Sequence, residues 1–179
     1  MKIAFVDVCN SLADVNGRVR EMGYDPSNLS LPPTMDLWWD SAMYLSCNPM
    51  TASIDHVKEL SKQGYELVFI TARPIEMLPT TLLWLEKYGI PSSQILCSHG
   101  KHKGNMVVEY LSNFTKHPVT DVVIIEDSAT EIERYREVWN KLPSNSQLHI
   151  IDQPYNRHLE GDLRIENTVE QPDILVRSQ

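Results

Sequence analysis

Short apolar runs alternate along the chain with segments of helical period. Five runs rich in β-branched residues predict strands, and four amphipathic segments between them predict helices. The predicted strands are 3–8, 66–71, 94–97, 122–126 and 148–151, and the predicted helices are 52–63, 80–88, 105–114 and 130–142. This alternation is typical of a parallel sheet with crossover helices. The pattern therefore predicts an α/β fold, a Rossmann-like three-layer α/β/α arrangement around a parallel sheet.

Residues 14–48 interrupt this alternation. They hold the loop-like stretch "DPSNLSLPP" and then "TMDLWWDSAMYL", which predicts a short helix. We interpret the segment as a small helical cap inserted after the first strand of a single domain that spans residues 1–179. From Tyr155 onwards the chain is polar and weakly patterned, which predicts a segment that wraps the surface.

Several predicted strands end in residues that carry chemistry. The first reaches Asp7, the second ends at Thr71 with Arg73 close behind, and the fourth leads into Glu126 and Asp127. In an open parallel sheet the carboxyl ends of the strands form the ligand crevice. Carboxylate oxygens suit Mg²⁺, which binds through one or two carboxylates and the phosphate of a substrate. Lys101 and Lys103 precede the predicted helix that leads to the fourth strand, and a lysine there would join these residues. Together they predict a site for a divalent cation and a phosphate.

Charge and cysteine content limit the class of partner. A formal net charge of −8 argues against non-specific binding to nucleic acid, which needs an excess of Lys and Arg. A small phosphorylated substrate, held by a few local cations, is compatible with this charge. No apolar run approaches the ~18 residues that a membrane span needs. The three cysteines have neither a disulfide framework nor zinc-ligand spacing, so we expect a cytoplasmic protein without membrane contact.

Four stretches, in this order, resemble the haloacid dehalogenase superfamily of phosphotransferases. They are "DVCNS" from Asp7, "ITARP" around Thr71, "KGNMVVEYL" from Lys103 and "EDSATEI" from Glu126. The later stretch "IIDQPYNRHL" from Ile150 and the run "TARPIEMLPTTLLWLEKYGI" are similar to one branch of that superfamily. This branch comprises deoxyribonucleotidase-like proteins and the phosphatase domains of polynucleotide end-repair enzymes.

The resemblance implies a mechanism through an aspartyl-phosphate. Asp7 would attack phosphorus, and Thr71 and Lys103 would stabilise the transferring phosphoryl group. Asn10 and Arg73 would contact the substrate, although a surface salt bridge would explain Arg73 equally well.

The resemblance also implies a Mg²⁺ site. Its ligands would be the carboxylate of Asp7, the main-chain carbonyl of Cys9 and the carboxylate of Asp127. Glu126 would act from the outer coordination sphere or through water.

Cys9 departs from the family pattern, because the phosphatases carry a second aspartate there that transfers protons. A main-chain metal contact survives this change, but proton transfer suffers. Set among carboxylates and away from cations, the Cys9 thiol is predicted to have a pKa above its ordinary ~8.5 and to stay protonated. Since general acid–base catalysis is worth ~10²- to 10⁴-fold, we expect a slow phosphatase, a long-lived phosphoenzyme or an inactive protein. Cys9 as a small buried filler is the competing interpretation.

The insert bears on the substrate. Trp38, Trp39 and Tyr44 are predicted to share one short helix, and one of the tryptophans would either stack on a nucleotide base or anchor the insert to the body. The resemblance to the deoxyribonucleotidase-like branch implies a nucleotide as the substrate, and this is the substrate we predict.

Other reactions of the superfamily fit less well. Residues 13–50 contain no lysine, which argues against phosphonate cleavage through a Schiff base. Glu126 and Asp127 resemble metal ligands, which argues against metal-free dehalogenation. We predict a Mg²⁺-dependent phosphomonoester hydrolase. The alternatives are a weakened member that binds a nucleotide or a phosphorylated partner without turnover, and a purely structural subunit.

Overall fold

A parallel sheet of six strands forms the centre of the molecule. The computed structural model describes residues 1–26, 39–91, 94–115 and 117–167. Its strands are β1 (Lys2–Asp7), β2 (Ala13–Asp14), β3 (Asn48–Pro49), β4 (Tyr65–Thr71), β5 (Gln94–Cys97), β6 (Asp121–Glu126), β7 (Asn145–Ile151) and β8 (Leu163–Ile165). The sheet has the order β5-β4-β1-β6-β7-β8, and β2 pairs with β3 apart from it.

Helices cover both faces of this sheet. They are α1 (Val15–Glu21), α2 (Ser41–Leu45), α3 (Thr51–Lys62), α4 (Leu78–Lys87), α5 (Lys103–Asn113) and α6 (Ala129–Glu137), with short 3₁₀ helices at Ile75–Met77 and Trp139–Lys141. None of the described helices combines the length and the apolar character that a membrane span requires.

Strand β1 lies in the middle of the sheet and pairs in parallel with β4 and β6. Because both its faces are covered, residues 3–6 are all buried and read as one apolar run. Ala4 and Val6 pack with α1 to α4, whereas Ile3 and Phe5 pack with α5 and α6. The predicted three-layer α/β/α fold is therefore confirmed.

Two predictions about the second half of the chain are wrong in part. The helix predicted at 130–142 is too long, because α6 ends at Glu137 and a 3₁₀ helix follows. The segment after Tyr155 does not only wrap the surface, since Leu163–Ile165 adds the edge strand β8 beside β7. Three residues are too few to show an alternation of apolar and polar positions, so this strand could not be predicted from the pattern.

The proposed insert begins and ends at a small antiparallel pair. Ala13 lies opposite Pro49 and Asp14 opposite Asn48. The side chain of Asp14 then accepts the N–H of Gly17 at 2.7 Å and starts α1 as its N-cap.

The helix predicted for "TMDLWWDSAMYL" is shorter than expected. Asp40 accepts the N–H groups of Ala42 and Met43, so that α2 begins only after Asp40. Trp39 lies in the preceding turn, half-exposed, while Tyr44 is fully buried on α2. The prediction that both share one helix is wrong, and Trp38 lies outside the described residues.

Candidate active site

Three buried carboxylates meet at the carboxyl edge of the sheet. Asp7 ends β1, Glu126 ends the neighbouring β6, and Asp127 follows directly. One oxygen of each lies within 4.8 Å of the others, and none of the three residues is more than 5% exposed. Like charges this close and this buried are unfavourable without cations nearby.

Lys103 supplies one such cation. Its ammonium lies 2.6 Å from Asp7 Oδ1 and 2.7 Å from Glu126 Oε2. Burial on its own would lower the pKa of Lys103, but these two carboxylates overcome that effect and hold the pKa well above its ordinary value. With all three carboxylates ionised, they and the one ammonium would leave two negative charges unbalanced, which is the charge of one divalent cation.

The oxygens of Glu126 are engaged by protein donors. Oε2 accepts from Lys103, and Oε1 accepts the main-chain N–H groups of Asp127 at 3.3 Å and Ser128 at 3.1 Å. This arrangement suits an outer-sphere role more than direct coordination.

Within the described part of the chain, the side chain of Asp127 is bound by neutral donors only. Ser11 donates its hydroxyl to Oδ1 at 3.0 Å, and the Tyr155 hydroxyl donates to Oδ2. Burial raises the pKa of Asp127 to about 7, and the nearby Asp7 carboxylate adds to this. The residues fit a divalent cation held by Asp7 and Asp127, because oxygen ligands of unbalanced charge are what Mg²⁺ prefers.

Asp7 presents one oxygen that the protein leaves available. Oδ1 is fixed by Lys103, whereas Oδ2 accepts no hydrogen bond from any residue that the structure describes. A carboxylate held at one oxygen is suited to nucleophilic attack through the other.

The loop after β1 reverses sharply behind Asp7. Asn10 has a φ of 58°, in the left-handed region, and the loop closes through bonds from Leu12 and Ala13 to the carbonyl of Val8. The Asn10 side chain accepts the N–H of Asn16 at 2.8 Å, so in this structure it serves the turn. Its predicted contact with substrate remains a prediction.

Cys9 lies beside a cation, contrary to the expectation from sequence. Arg73 donates its Nε–H to Cys9 Sγ at 3.1 Å. The pKa of the thiol is raised as expected, but chiefly because of burial, while Arg73 opposes the shift and Asp7 adds to it. The sequence could not show this, since 64 positions separate the two residues and only the fold brings them together.

Arg73 is buried, so a surface salt bridge does not explain it. The residue is 2% exposed, donates to Thr81 Oγ1 at 3.0 Å and lies 4.1 Å from the centre of the Tyr44 ring. Its remaining terminal nitrogen, NH2, is buried without a hydrogen-bond partner in the described part of the chain. Thr71, at the end of β4, accepts the N–H of Arg73 at 3.2 Å and lies 4.0 Å from Cys9 Sγ.

The structure thus brings the predicted residues together in two adjoining groups. The first group consists of Asp7, Lys103, Glu126 and Asp127. The second consists of Cys9, Thr71 and Arg73, which lie at or just after the carboxyl ends of the paired strands β1 and β4.

Sequence reasoning missed three residues of the turn after β7. Tyr155 binds Asp127, Gln153 donates to the carbonyl of Asn10 at 3.2 Å, and Asn156 donates to the carbonyl of Asp127 at 2.7 Å. A polar turn shows no periodicity. The sequence signals were its place after the carboxyl end of a strand and the family resemblance of "IIDQPYNRHL", and neither assigned a role to these three residues.

The amino-acid sequence is similar to a protein family model and to a bacterial protein. A family model described as "PITM 1-3, LNS2 domain" matches residues 40–151, more than half of the chain. A Bacillus cereus protein named as a proposed nucleotidase is 42% identical over 52 residues, which are 29% of this chain and 28% of that protein.

Two solved structures share the fold. A chain of the Pnkp1/Rnl/Hen1 RNA repair complex is 20% identical, with a TM-score of 0.54 over 79% of this chain and 40% of that chain. A hydrolase of the haloacid dehalogenase superfamily from Ehrlichia chaffeensis is 16% identical, with a TM-score of 0.50 over 85% of this chain and 89% of that one. The chain thus spans less than half of the Bacillus protein and of the RNA repair chain. These likenesses confirm the predicted fold, and the Bacillus match supports the nucleotidase-like branch.

Proposed function

Since the chain belongs to the family described as PITM 1-3, LNS2 domain, and has the fold of haloacid dehalogenase superfamily hydrolases, we propose that it is a Mg²⁺-dependent phosphomonoester hydrolase. The observation that carries this proposal is the buried cluster of Asp7, Lys103, Glu126 and Asp127, in which three carboxylates meet one ammonium and Asp7 Oδ2 accepts no hydrogen bond from a described residue. The substrate we propose is a nucleotide, in keeping with the name of the Bacillus relative.

The chemistry begins at Asp7. Oδ2 forms a bond to phosphorus while the bond from phosphorus to the ester oxygen breaks, which leaves an aspartyl-phosphate and an alkoxide that needs a proton. Lys103 fixes Asp7 through Oδ1 and, with the Thr71 hydroxyl, offers donors to the phosphoryl oxygens. A Mg²⁺ ion bound at the carboxylates would supply positive charge to the same oxygens.

Proton transfer is the weak step. The Cys9 thiol, two positions after Asp7, is only a weak proton donor to the leaving oxygen, because its raised pKa disfavours the thiolate. For the same reason it is rarely deprotonated and available as the base that activates the water for hydrolysis of the aspartyl-phosphate. We therefore expect the second half of the reaction to be slow. The same observation favours a second candidate function, in which the protein binds a nucleotide or a phosphorylated partner and releases it unchanged.

The test is phosphate release from a panel of nucleoside monophosphates with Mg²⁺. Wild type, Asp7→Asn, Cys9→Asp and Cys9→Asn are compared, because the last two differ from each other only by a carboxylate in place of an amide. A hydrolase is expected to turn over slowly, to lose turnover with Asp7→Asn, and to gain about 10²- to 10⁴-fold with Cys9→Asp but not with Cys9→Asn.

Two other outcomes are informative. Wild type that is inert while Cys9→Asp is active would support binding without turnover. Inactivity of both, with no binding of Mg²⁺ or of a nucleotide, would contradict the enzymatic proposal altogether.

A further inference from the structure

Asp127 is held by three donors from two different segments. Ser11 binds Oδ1, Tyr155 binds Oδ2, and the side chain of Asn156 binds the main-chain carbonyl. With a donor on each oxygen, the plane of the carboxylate is fixed. Each oxygen still keeps a lone pair, because one hydroxyl donor occupies only one of the two acceptor positions on an oxygen.

The turn that carries Tyr155 is itself anchored. Asn156 is fully buried and donates to the carbonyl of Ile151 at 2.8 Å as well as to that of Asp127. Arg164, on the edge strand β8, donates to the side-chain oxygen of Asn156 at 3.0 Å. On the other side of the turn, Gln153 donates to the carbonyl of Asn10 in the loop that follows Asp7. The turn therefore ties together the loops after β1 and β6.

Tyr155 differs from Lys103 in what it does to the charge of the site. Lys103 brings a positive charge to Asp7 and Glu126, whereas the phenol of Tyr155 is a neutral donor whose pKa is raised by burial and by the Asp127 carboxylate. It therefore orients Asp127 without cancelling its charge. Tyr155 as a residue is 42% exposed, so its hydroxyl reaches Asp127 from the solvent-facing rim of the site.

We propose that Tyr155 is a positioning residue for the divalent cation, which aims the Asp127 carboxylate at the cation through the hydroxyl bond to Oδ2. This rests on the proposed function, because it assumes that Asp127 is a direct ligand. Partners that orient a ligating carboxylate contribute about 10- to 100-fold to metal affinity. Loss of the hydroxyl is expected to weaken the binding of the cation by that factor.

The experiment measures binding of Mn²⁺ alone, by the electron paramagnetic resonance signal of the free ion. Tyr155→Phe removes the hydroxyl and keeps the ring. Tyr110→Phe is the matched control, since Tyr110 loses only a bond to Gln94 at 2.9 Å on the far side of β4 from β6. We expect Tyr155→Phe to bind Mn²⁺ about 10- to 100-fold more weakly than wild type, and Tyr110→Phe to match wild type.

A second readout does not depend on the folding of the variant. Addition of Mg²⁺ to wild type should shift the near-ultraviolet absorption of a tyrosine, because the carboxylate that accepts the Tyr155 hydroxyl gives charge to the cation. A role confined to packing would leave that absorption unchanged. The shift should persist in Tyr110→Phe and vanish in Tyr155→Phe.

The outcomes separate this inference from the proposed function. If wild type and Tyr155→Phe bind Mn²⁺ equally, the inference about Tyr155 fails and the hydrolase proposal stands. If wild type binds no Mn²⁺, both the metal-dependent function and the inference about Tyr155 are contradicted. If Tyr155→Phe does not fold, a Mg²⁺-induced shift in wild type supports the inference and its absence overturns it.

Discussion

At the scale of single residues, Lys103 places one positive charge between two buried carboxylates. Its ammonium is within 2.7 Å of Asp7 and Glu126, and the side chain is almost fully buried. Removal of one partner from a buried ion pair leaves uncompensated charge in the interior. This lowers the stability of the fold more than replacement of all the charged partners by apolar residues does.

We predict that Lys103→Met lowers the free energy of unfolding by about 3–5 kcal/mol, the range seen when one partner of a buried ion pair is removed. Urea unfolding followed by circular dichroism measures this. Lys62→Met is the matched control, because Lys62 forms an exposed pair with Glu59 at 3.5 Å and should change stability by at most about 1 kcal/mol. An equal loss of unfolding free energy in the two variants would show that the charge of Lys103 does not stabilise the buried carboxylates.

The main residues of the site could be predicted from sequence because each follows a recognisable boundary. Asp7, Thr71 and Glu126 end apolar runs, and Lys103 begins a helix. The partners of Arg73 could not be predicted in this way. Its contacts with Cys9, Thr81 and Tyr44 depend on which loops and helices meet in space, and local pattern carries no information about that.

At the scale of elements, α5 packs closely against α6 at Gly104, next to Lys103. A Cβ placed on Gly104 would lie 2.8 Å from the carbonyl oxygen of Arg134 and 3.0 Å from Val138 Cγ2. A backbone carbonyl cannot rotate away as a side chain can, so a larger residue would push the start of α5, and Lys103 with it, away from Asp7.

We predict that Gly104→Ala lowers the free energy of unfolding by about 1–3 kcal/mol, as overpacking in a tight core usually does, and also weakens Mg²⁺-dependent activity. Thermal unfolding and phosphate release are measured together. Asn105→Ala, at an exposed position of the same helix, is the control and should leave both unchanged. A stable and fully active Gly104→Ala would mean that the two helices separate without disturbing Lys103.

Helix α3 and strand β7 meet through a pair of histidines. His56 Nε2 lies 2.9 Å from His149 Nδ1, and burial followed by the proximity of His56 lowers the pKa of His149 from 6.5 to about 4. Burial also lowers the pKa of His56. The folded protein resists protonation of His149, whereas the unfolded chain does not. The contribution of the neutral histidine to the free energy of unfolding is therefore fully present above pH 6.5 and is lost as the pH falls towards 4.

We predict that this pair makes the free energy of unfolding fall by up to about 3 kcal/mol between pH 6.5 and pH 4, from the pKa shift of His149. Urea titrations at several pH values test it. His149→Gln should flatten the dependence, whereas His158→Gln, at an exposed position, should retain it. If the free energy of unfolding fell equally steeply with falling pH in both variants, the histidine pair would not be the cause of the pH dependence.

The elements that could be predicted are those long enough to show a period. The five strands and four helices of the three-layer fold each have a counterpart in the sequence pattern. The pair of β2 and β3 could not be predicted, because each strand has two residues and its pairing is set by the chain reversal at Asn10 and by the packing of the insert. Strand β8 could not be predicted either, because it has only three residues.

At the scale of the whole molecule, the cation and the fold should stabilise one another. The three carboxylates come from the ends of β1 and β6, so a bound cation would hold the two central strands of the sheet together. Any ligand that binds only the folded state raises stability by mass action.

We predict that Mg²⁺ raises the free energy of unfolding, by about 2.7 kcal/mol at one hundred times its dissociation constant. The effect should disappear in Asp127→Asn and persist in Asp55→Asn, which changes an exposed acid on α3. Thermal shift assays with Mg²⁺, and with NaCl at equal ionic strength, make the comparison. A response of the same size in both variants would indicate general screening of the net charge of −8.

The short pair of β2 and β3 has a consequence for how this protein can diversify. The chain leaves the sheet domain at Asp14 and returns at Asn48, directly opposite, and a bond from Met50 to the carbonyl of Leu12 closes the same base. Both ends of the segment between these points are thus held side by side, next to the loop that follows Asp7. We therefore expect a change of chain length far from these two ends to leave the course of that loop unchanged.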